Sequence, residues 1–199
     1  MSQPAPLPEV YLARHGETAW TITRQHTGHS DIPLTPAGED EARSLGERLA
    51  EGRFDFVATS PLIRARRTAS LAGFPTAIEL PDLMEWNYGD FDGLTTAQIK
   101  AHQDDWLVFR DGCPGGESAA AAADRADRLV KLLREKKGKS LVFSHGHFLR
   151  LLAARWLGLP PLAGRCFVLD TTSLSVLGYE HSLEQPVIRL WNDFGRLHS

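Results

Sequence analysis

Cysteine is scarce in this chain of 199 residues: Cys113 and Cys166 are the only two. They have neither a Cys-x-x-Cys nor a zinc-site spacing, which excludes a disulfide framework and points to two reduced thiols. No uninterrupted apolar run is long enough to span a bilayer, and the N-terminus lacks the basic region and apolar stretch of a secretory leader. A soluble, cytoplasmic protein with no membrane partner is the expectation. Blocks of one charge sign are missing too. The chain has 22 Lys and Arg against 25 Asp and Glu, a net charge of −3, and no arginine-rich tail. That argues against a nucleic-acid partner but leaves room for a small anion pocket. Internal repeats and long linkers are absent, so residues 1–199 read as a single domain around one core.

What is present is a rhythm of short apolar runs and amphipathic segments. Met1 to Pro8 reads as a tail and Glu9 to Ala13 as a strand. Thr35 is placed to cap a helix with Pro36 in its first turn and Ala42, Leu45 and Leu49 on its inner stripe. Phe56 to Thr59 is a second strand, closed by Ser60-Pro61 and followed by a helix carrying Arg64, Arg66 and Arg67. Thr76 to Leu80 predicts a third strand. Pro81 to Gly93 and Trp106 to Glu117 read as irregular, with a short helix starting near Thr95 between them. Ser118 caps a long helix to about Lys137, with Leu129, Leu132 and Leu133 inward. Leu141 to Phe143 is a strand and His147 to Leu157 a helix. Ser173 to Leu177 and Val187 to Leu190 complete the strands. Alternating strands and helices imply an α/β fold, a three-layer αβα sandwich around a mostly parallel sheet.

Two histidines stand out because each follows a strand and precedes a glycine. His15 lies in Leu12-Ala13-Arg14-His15-Gly16-Glu17-Thr18, and His145 in Ser144-His145-Gly146-His147. Ligands of open α/β sheets gather beyond the carboxyl ends of the strands, so the two rings are expected in one pocket. A neutral imidazole nitrogen can attack phosphorus and hold the phosphoryl group covalently, which makes His15 a candidate nucleophile. Gly16 would allow close backbone approach, with N–H groups free to hold oxygens. Arg14 and Arg64 offer fixed charge and a planar fork of donors suited to phosphoryl oxygens. For Arg64 the alternative is a solvated helix residue. His145, as imidazolium, would donate to a phosphoryl oxygen, unless it is a core histidine satisfied by a carbonyl. His147 is open to either a helix-entry role or a substrate contact. Glu85 is the candidate acid and base, protonating the leaving oxygen and then deprotonating water; an exposed loop glutamate is the alternative. Trp20, Trp86, Tyr88 and Trp106 could narrow the mouth of such a pocket, although core packing is open for Trp106. Arg110 could bind a carboxylate or distal phosphate, or equally form a surface ion pair.

Four segments together resemble the histidine phosphatase superfamily, in its phosphoglycerate-mutase-like branch. They are Arg14-His15-Gly16-Glu17-Thr18, Ser60-Pro61-Leu62-Ile63-Arg64-Ala65, Glu85-Trp86-Asn87-Tyr88-Gly89 and Ser144-His145-Gly146-His147. The likeness is strongest to small acid phosphatases and sugar bisphosphatases of that branch. Arg110-Asp111-Gly112-Cys113-Pro114-Gly115-Gly116-Glu117-Ser118 shares it. The resemblance implies a phosphoglycerate-mutase-like fold and a phosphohistidine formed on the residue at His15. It puts Arg14, Arg64 and His145 in the phosphate pocket and Glu85 at the proton-donor position. It also implies Thr27-Gly28 near the entrance and a possible homodimer. Thr21 departs from the asparagine common there, leaving it as a phosphoryl contact or a support for the loop.

A phosphatase admits water to the phosphoenzyme; a mutase returns the phosphoryl group to another oxygen. Between Gly93 and Gly116 only Lys100 and Arg110 are basic, whereas a bisphosphorylated intermediate needs extensive charge compensation. A phosphomonoesterase acting on a small phosphorylated metabolite is therefore the favoured expectation, with phosphoglycerate mutase and a non-catalytic phosphometabolite-binding protein as alternatives. No metal or other cofactor is expected, since the cationic side chains would themselves stabilise the developing charge.

Overall fold

A computed structural model describes residues 7–195. The expected tail therefore lies outside the described residues except for Leu7 and Pro8. Six strands form one sheet: β1 (Glu9–Arg14), β2 (Phe56–Thr59), β3 (Ile78–Glu79), β4 (Lys139–Ser144), β5 (Leu174–Tyr179) and β6 (Pro186–Asp193). Their spatial order is β3-β2-β4-β1-β5-β6. β4 runs parallel to both β1 and β2, while β5 runs antiparallel to its neighbours β1 and β6. The insertion of β4 between β1 and β2 brings the ends of the two histidine-bearing strands side by side, in a register that pairs Arg14 with Ser144.

Side-chain alternation along these strands explains the layers. Val10, Leu12 and Val142 face one cluster with α6 (Ala119–Glu135) and α7 (Gly146–Trp156); Ala13, Leu141 and Phe143 face another with α2 (Pro36–Leu49) and α3 (Ile63–Leu71). The sheet is thus covered on both faces, as the α/β sandwich requires. The expected caps are present: Thr35 accepts the Gly38 N–H at 3.0 Å with Pro36 at the first helical position, and Ser118 accepts the Ala121 N–H at 3.1 Å.

Three short elements differ from expectation. β3 shrinks to two residues, with Ile78 and Glu79 both exposed. α1 (Ala19–Thr23) occupies a stretch with no apolar periodicity, held by a capping box in which Thr18 and Thr21 exchange side-chain and backbone bonds. The segment expected to be irregular after Trp106 contains α5 (Val108–Asp111), whose Val108 and Phe109 are buried in the main core. α4 (Thr96–Lys100) supplies the short helix expected near Thr95. Both cysteines are free, Cys113 buried and Cys166 exposed. No helix among the described residues is long and apolar enough to cross a membrane.

Candidate active site

The site lies at the carboxyl ends of β1, β2 and β4. His15 is anchored there because its N–H donates to the Ser144 carbonyl at 3.0 Å and its own carbonyl accepts from Thr172. Its ring is nearly enclosed, and Nδ1 meets the Gly16 carbonyl at 2.8 Å. A carbonyl only accepts, so Nδ1 carries the proton and Nε2 keeps the lone pair in the neutral ring. Burial, reinforced by Arg64 and Arg14, pushes the pKa of His15 well below the ordinary 6.5. Gly16 is required sterically: a Cβ there would sit 2.5 Å from the Gly38 carbonyl oxygen. Its N–H donates to Thr68 Oγ1, so this amide is not among the donors expected to be free for phosphoryl oxygens.

The His145 ring centroid lies 5.1 Å from that of His15. Arg64 Nε–H donates to His145 Nδ1 at 3.1 Å, which leaves the imidazole proton on Nε2, donated to Ser60 Oγ at 2.7 Å. His145 is therefore neutral here, not the imidazolium expected from sequence, and burial followed by Arg64 lowers its pKa well below 6.5. Arg64 is fully buried; its remaining contacts go to the carbonyls of Thr27, Gly28 and Ser30. The solvated-helix alternative for Arg64 is thereby excluded.

Glu85 reaches the same region from the segment before Gly89. Its Oε1 accepts from the N–H groups of Trp86 and Phe148, each at 2.8 Å, and its Oε2 accepts the His147 N–H at 3.0 Å. The carboxyl group thus sits on the first turn of α7 and satisfies N–H groups that have no partner within the helix. With two bonds on Oε1 and one on Oε2, Oε2 keeps the spare acceptor site. The segment itself is gripped by Arg125 on α6. Arg125 donates to the carbonyls of Asp82 and Met84, pairs with Glu117 through two bonds of 2.9 and 2.8 Å, and stacks 4.0 Å over the Phe148 ring.

A cleft of about 230 Å³ opens beside His15. Arg14, Glu85, Tyr88 and Leu169 line it, with Trp20, Thr21, Arg24 and Gln25 contributing from α1 and the turn after it, and His147 and Arg150 from α7. Arg14 donates to the Leu169 carbonyl, and its buried Nε has no partner among the described residues. Thr27 lines the cleft, whereas Gly28 is buried and turns its carbonyl to Arg64. Thr21 lines it too, but its hydroxyl donates to the Thr18 carbonyl and accepts the Thr18 N–H, the loop-supporting role of the two expected. His147 forms part of the wall, hydrogen-bonded through Nδ1 to the Tyr88 hydroxyl and stacked on His26 at 5.6 Å.

Three residues offered as contacts lie elsewhere. Trp86 is fully buried, with its Nε1–H on the Glu117 carbonyl and its ring edge-on to Phe109, because that hydrogen bond makes core burial of the indole possible. Arg110 is an exposed partner of Asp105 and Asp111, the surface ion pair of its two expected readings. Trp106 is likewise core, donating to the Gly112 carbonyl. Sequence reasoning missed Arg24, His26 and Arg150. For Arg150 a signal existed: it follows His147 by three residues and so shares its helix face.

The histidine phosphatase superfamily (branch 1) matches residues 10–194. The chain belongs to that superfamily. It is 44% identical over 184 residues to an acid phosphatase of Mycobacterium tuberculosis, covering 90% of each chain. It is 29% identical over 257 residues to the sedoheptulose 1,7-bisphosphatase of Saccharomyces cerevisiae, covering 96% of this chain and 95% of that one. A solved Mycobacterium tuberculosis structure superposes with a TM-score of 0.89 at 40% identity, over 93% of this chain and 97% of its own. With such relatives across nearly its whole length, this histidine phosphatase is a phosphoric monoester hydrolase of the phosphoglycerate-mutase-like fold.

Proposed function

We propose that His15 Nε2 is the atom that attacks phosphorus, and that small phosphorylated metabolites are the substrates. The observation that carries this reading is the tautomer: the Gly16 carbonyl holds the Nδ1 proton, leaving a lone pair on the other nitrogen in a cleft shared with Arg14 and Glu85. Attack forms an N–P bond and breaks the P–O ester bond. Glu85, through Oε2, gives a proton to the departing oxygen. Water then attacks the phosphohistidine, Glu85 takes its proton, and the N–P electron pair returns to Nε2. Arg14, which lines the cleft beside His15, would hold phosphoryl oxygens directly through its guanidinium group. Arg64 and His145 stand behind the His15 ring as a linked pair; Arg64 supplies positive field, and the neutral His145 ring fixes its surroundings. Thr27 and Tyr88 contact the organic part of the substrate, and Thr21 supports the loop.

The same attack could begin a mutase cycle. Incubation with 3-phosphoglycerate, with and without 2,3-bisphosphoglycerate and in the presence of EDTA, separates these reactions. Free phosphate without need of the bisphosphate is the expected product. Rapid isomerisation with little phosphate release would assign a mutase, and complete loss of activity in EDTA would contradict catalysis by side chains alone.

A further inference from the structure

The cleft holds more positive charge than one phosphoryl group requires. Among the described residues lining it, three arginines, Arg14, Arg24 and Arg150, accompany a single carboxyl group, that of Glu85. Glu85 is already engaged by three backbone N–H groups. Arg14 is adjacent to His15 and is the lining cation assigned above to the reacting phosphate, which leaves Arg24 and Arg150 without an assignment.

Arg24 is exposed and lines the cleft, and its side chain has no hydrogen bond or ion pair with any described residue. It also occupies an expensive backbone position. At the C-cap of α1 its φ is +59°, a conformation that glycine adopts freely and a long side chain does not. An arginine kept there without any contact to offset the cost suggests that its side chain is used by something outside the chain. Arg150 differs because it is rigid. Its Nε donates to the Gly164 carbonyl at 3.1 Å and its Nη2 to the Arg165 carbonyl at 3.2 Å, and its guanidinium lies 5.0 Å from the Phe109 ring centroid. These contacts aim a fixed cation at the cleft at little entropic cost on binding.

We propose that Arg24 and Arg150 form a second anion subsite, so that the favoured substrates are small phosphomonoesters bearing a further anionic group, a carboxylate or a second phosphate. The proposal rests on the reading of this cleft as the place where His15 meets phosphorus. It gives to Arg24 and Arg150 the distal-anion role that sequence alone offered to Arg110, whose guanidinium is occupied by Asp105 and Asp111.

Matched substrate pairs test it. 3-Phosphoglycerate and glycerol 3-phosphate differ by the carboxylate; fructose 1,6-bisphosphate and fructose 6-phosphate differ by a phosphate. For wild type, the member bearing the second anionic group in at least one pair should have a kcat/KM about tenfold or more higher. A gain in the first pair alone assigns a carboxylate, and in the second alone a phosphate. In Arg24→Gln that ratio should fall toward one, through KM, and Arg24→Lys should restore most of it. A wild-type ratio near one in both pairs, or a ratio unchanged in Arg24→Gln, would overturn the subsite. Calorimetric binding of the same four compounds to wild type and Arg24→Gln reads the subsite without turnover. Absence of a phosphohistidine would thus remove the proposed chemistry, whereas equal binding within each pair would remove the subsite alone.

Discussion

At the scale of single residues, the proposed chemistry depends on keeping one imidazole nitrogen bare. Burial and two nearby guanidinium groups push the His15 pKa well below 6.5. In the proposed mechanism the neutral ring is the nucleophile, so lowering the pKa would extend its competence toward acid. The acid limb of kcat/KM, which reports the free enzyme, should therefore lie below pH 6.5; a limb centred near 6.5 that tracks His15 would contradict the burial argument. Glu85→Gln should slow alkyl phosphates by about 100-fold and activated aryl phosphates much less, because a good leaving group needs little protonation. Equal losses with both would remove the acid role. The sequence pointed to His15, Arg14, Arg64, Glu85 and His145 through two strand-end histidines and a four-motif resemblance, and the structure gathers these residues at one end of the sheet. Trp86 was not legible, since an indole in a polar, glycine-punctuated stretch reads as exposed until the Glu117 carbonyl is seen to satisfy its N–H. Arg24 was invisible for a different reason: a positive φ at a helix end leaves no mark when the residue is not glycine.

At the scale of elements, the position of Glu85 depends on two helices. α7 offers its first-turn N–H groups to the carboxyl group, and α6 fastens the preceding backbone through Arg125. The Arg125–Glu117 pair is nearly buried, and removing one partner from such a pair leaves an uncompensated charge. Arg125→Met should therefore cost about 3 kcal/mol in urea unfolding. It should also slow alkyl phosphates more than aryl phosphates, as expected if the proton donor is displaced. Loss of stability with no change in that preference would make the pair merely structural. The long elements were readable from capping and periodicity: Thr35, Ser118 and the stripe of Ala42, Leu45 and Leu49 lie where expected. α1 and α5, of five and four residues, are too short to develop an apolar period; α1 is held by its Thr18–Thr21 capping box and α5 by burial of Val108 and Phe109.

At the scale of the whole molecule, the same burial that keeps histidines neutral should limit acid stability. His15, His26, His145 and His147 all have pKa values lowered by burial, His26 to about 4. Above pH 6.5 neither the folded nor the unfolded chain protonates these rings, and nothing is lost. Below 6.5 the unfolded chain takes up protons that the folded one refuses, so stability declines as the pH falls toward 4. For His26 alone the loss amounts to on the order of 3 kcal/mol when complete. Urea midpoints between about pH 7.5 and pH 5, above the main range of carboxylate titration, should fall steadily. A flat profile would show that these rings titrate normally. The predicted catalytic reach into acid and the predicted loss of folding stability there would share one physical cause, the burial of these imidazoles.

The central claim is tested most directly on the intact protein. Mixing with substrate, quenching rapidly into base and measuring the mass should reveal one added phosphoryl group, located on His15 by fragmentation. His15→Ala should show neither the label nor turnover. A wild-type enzyme that releases phosphate while never acquiring the label, or a variant that still turns over, would contradict the account.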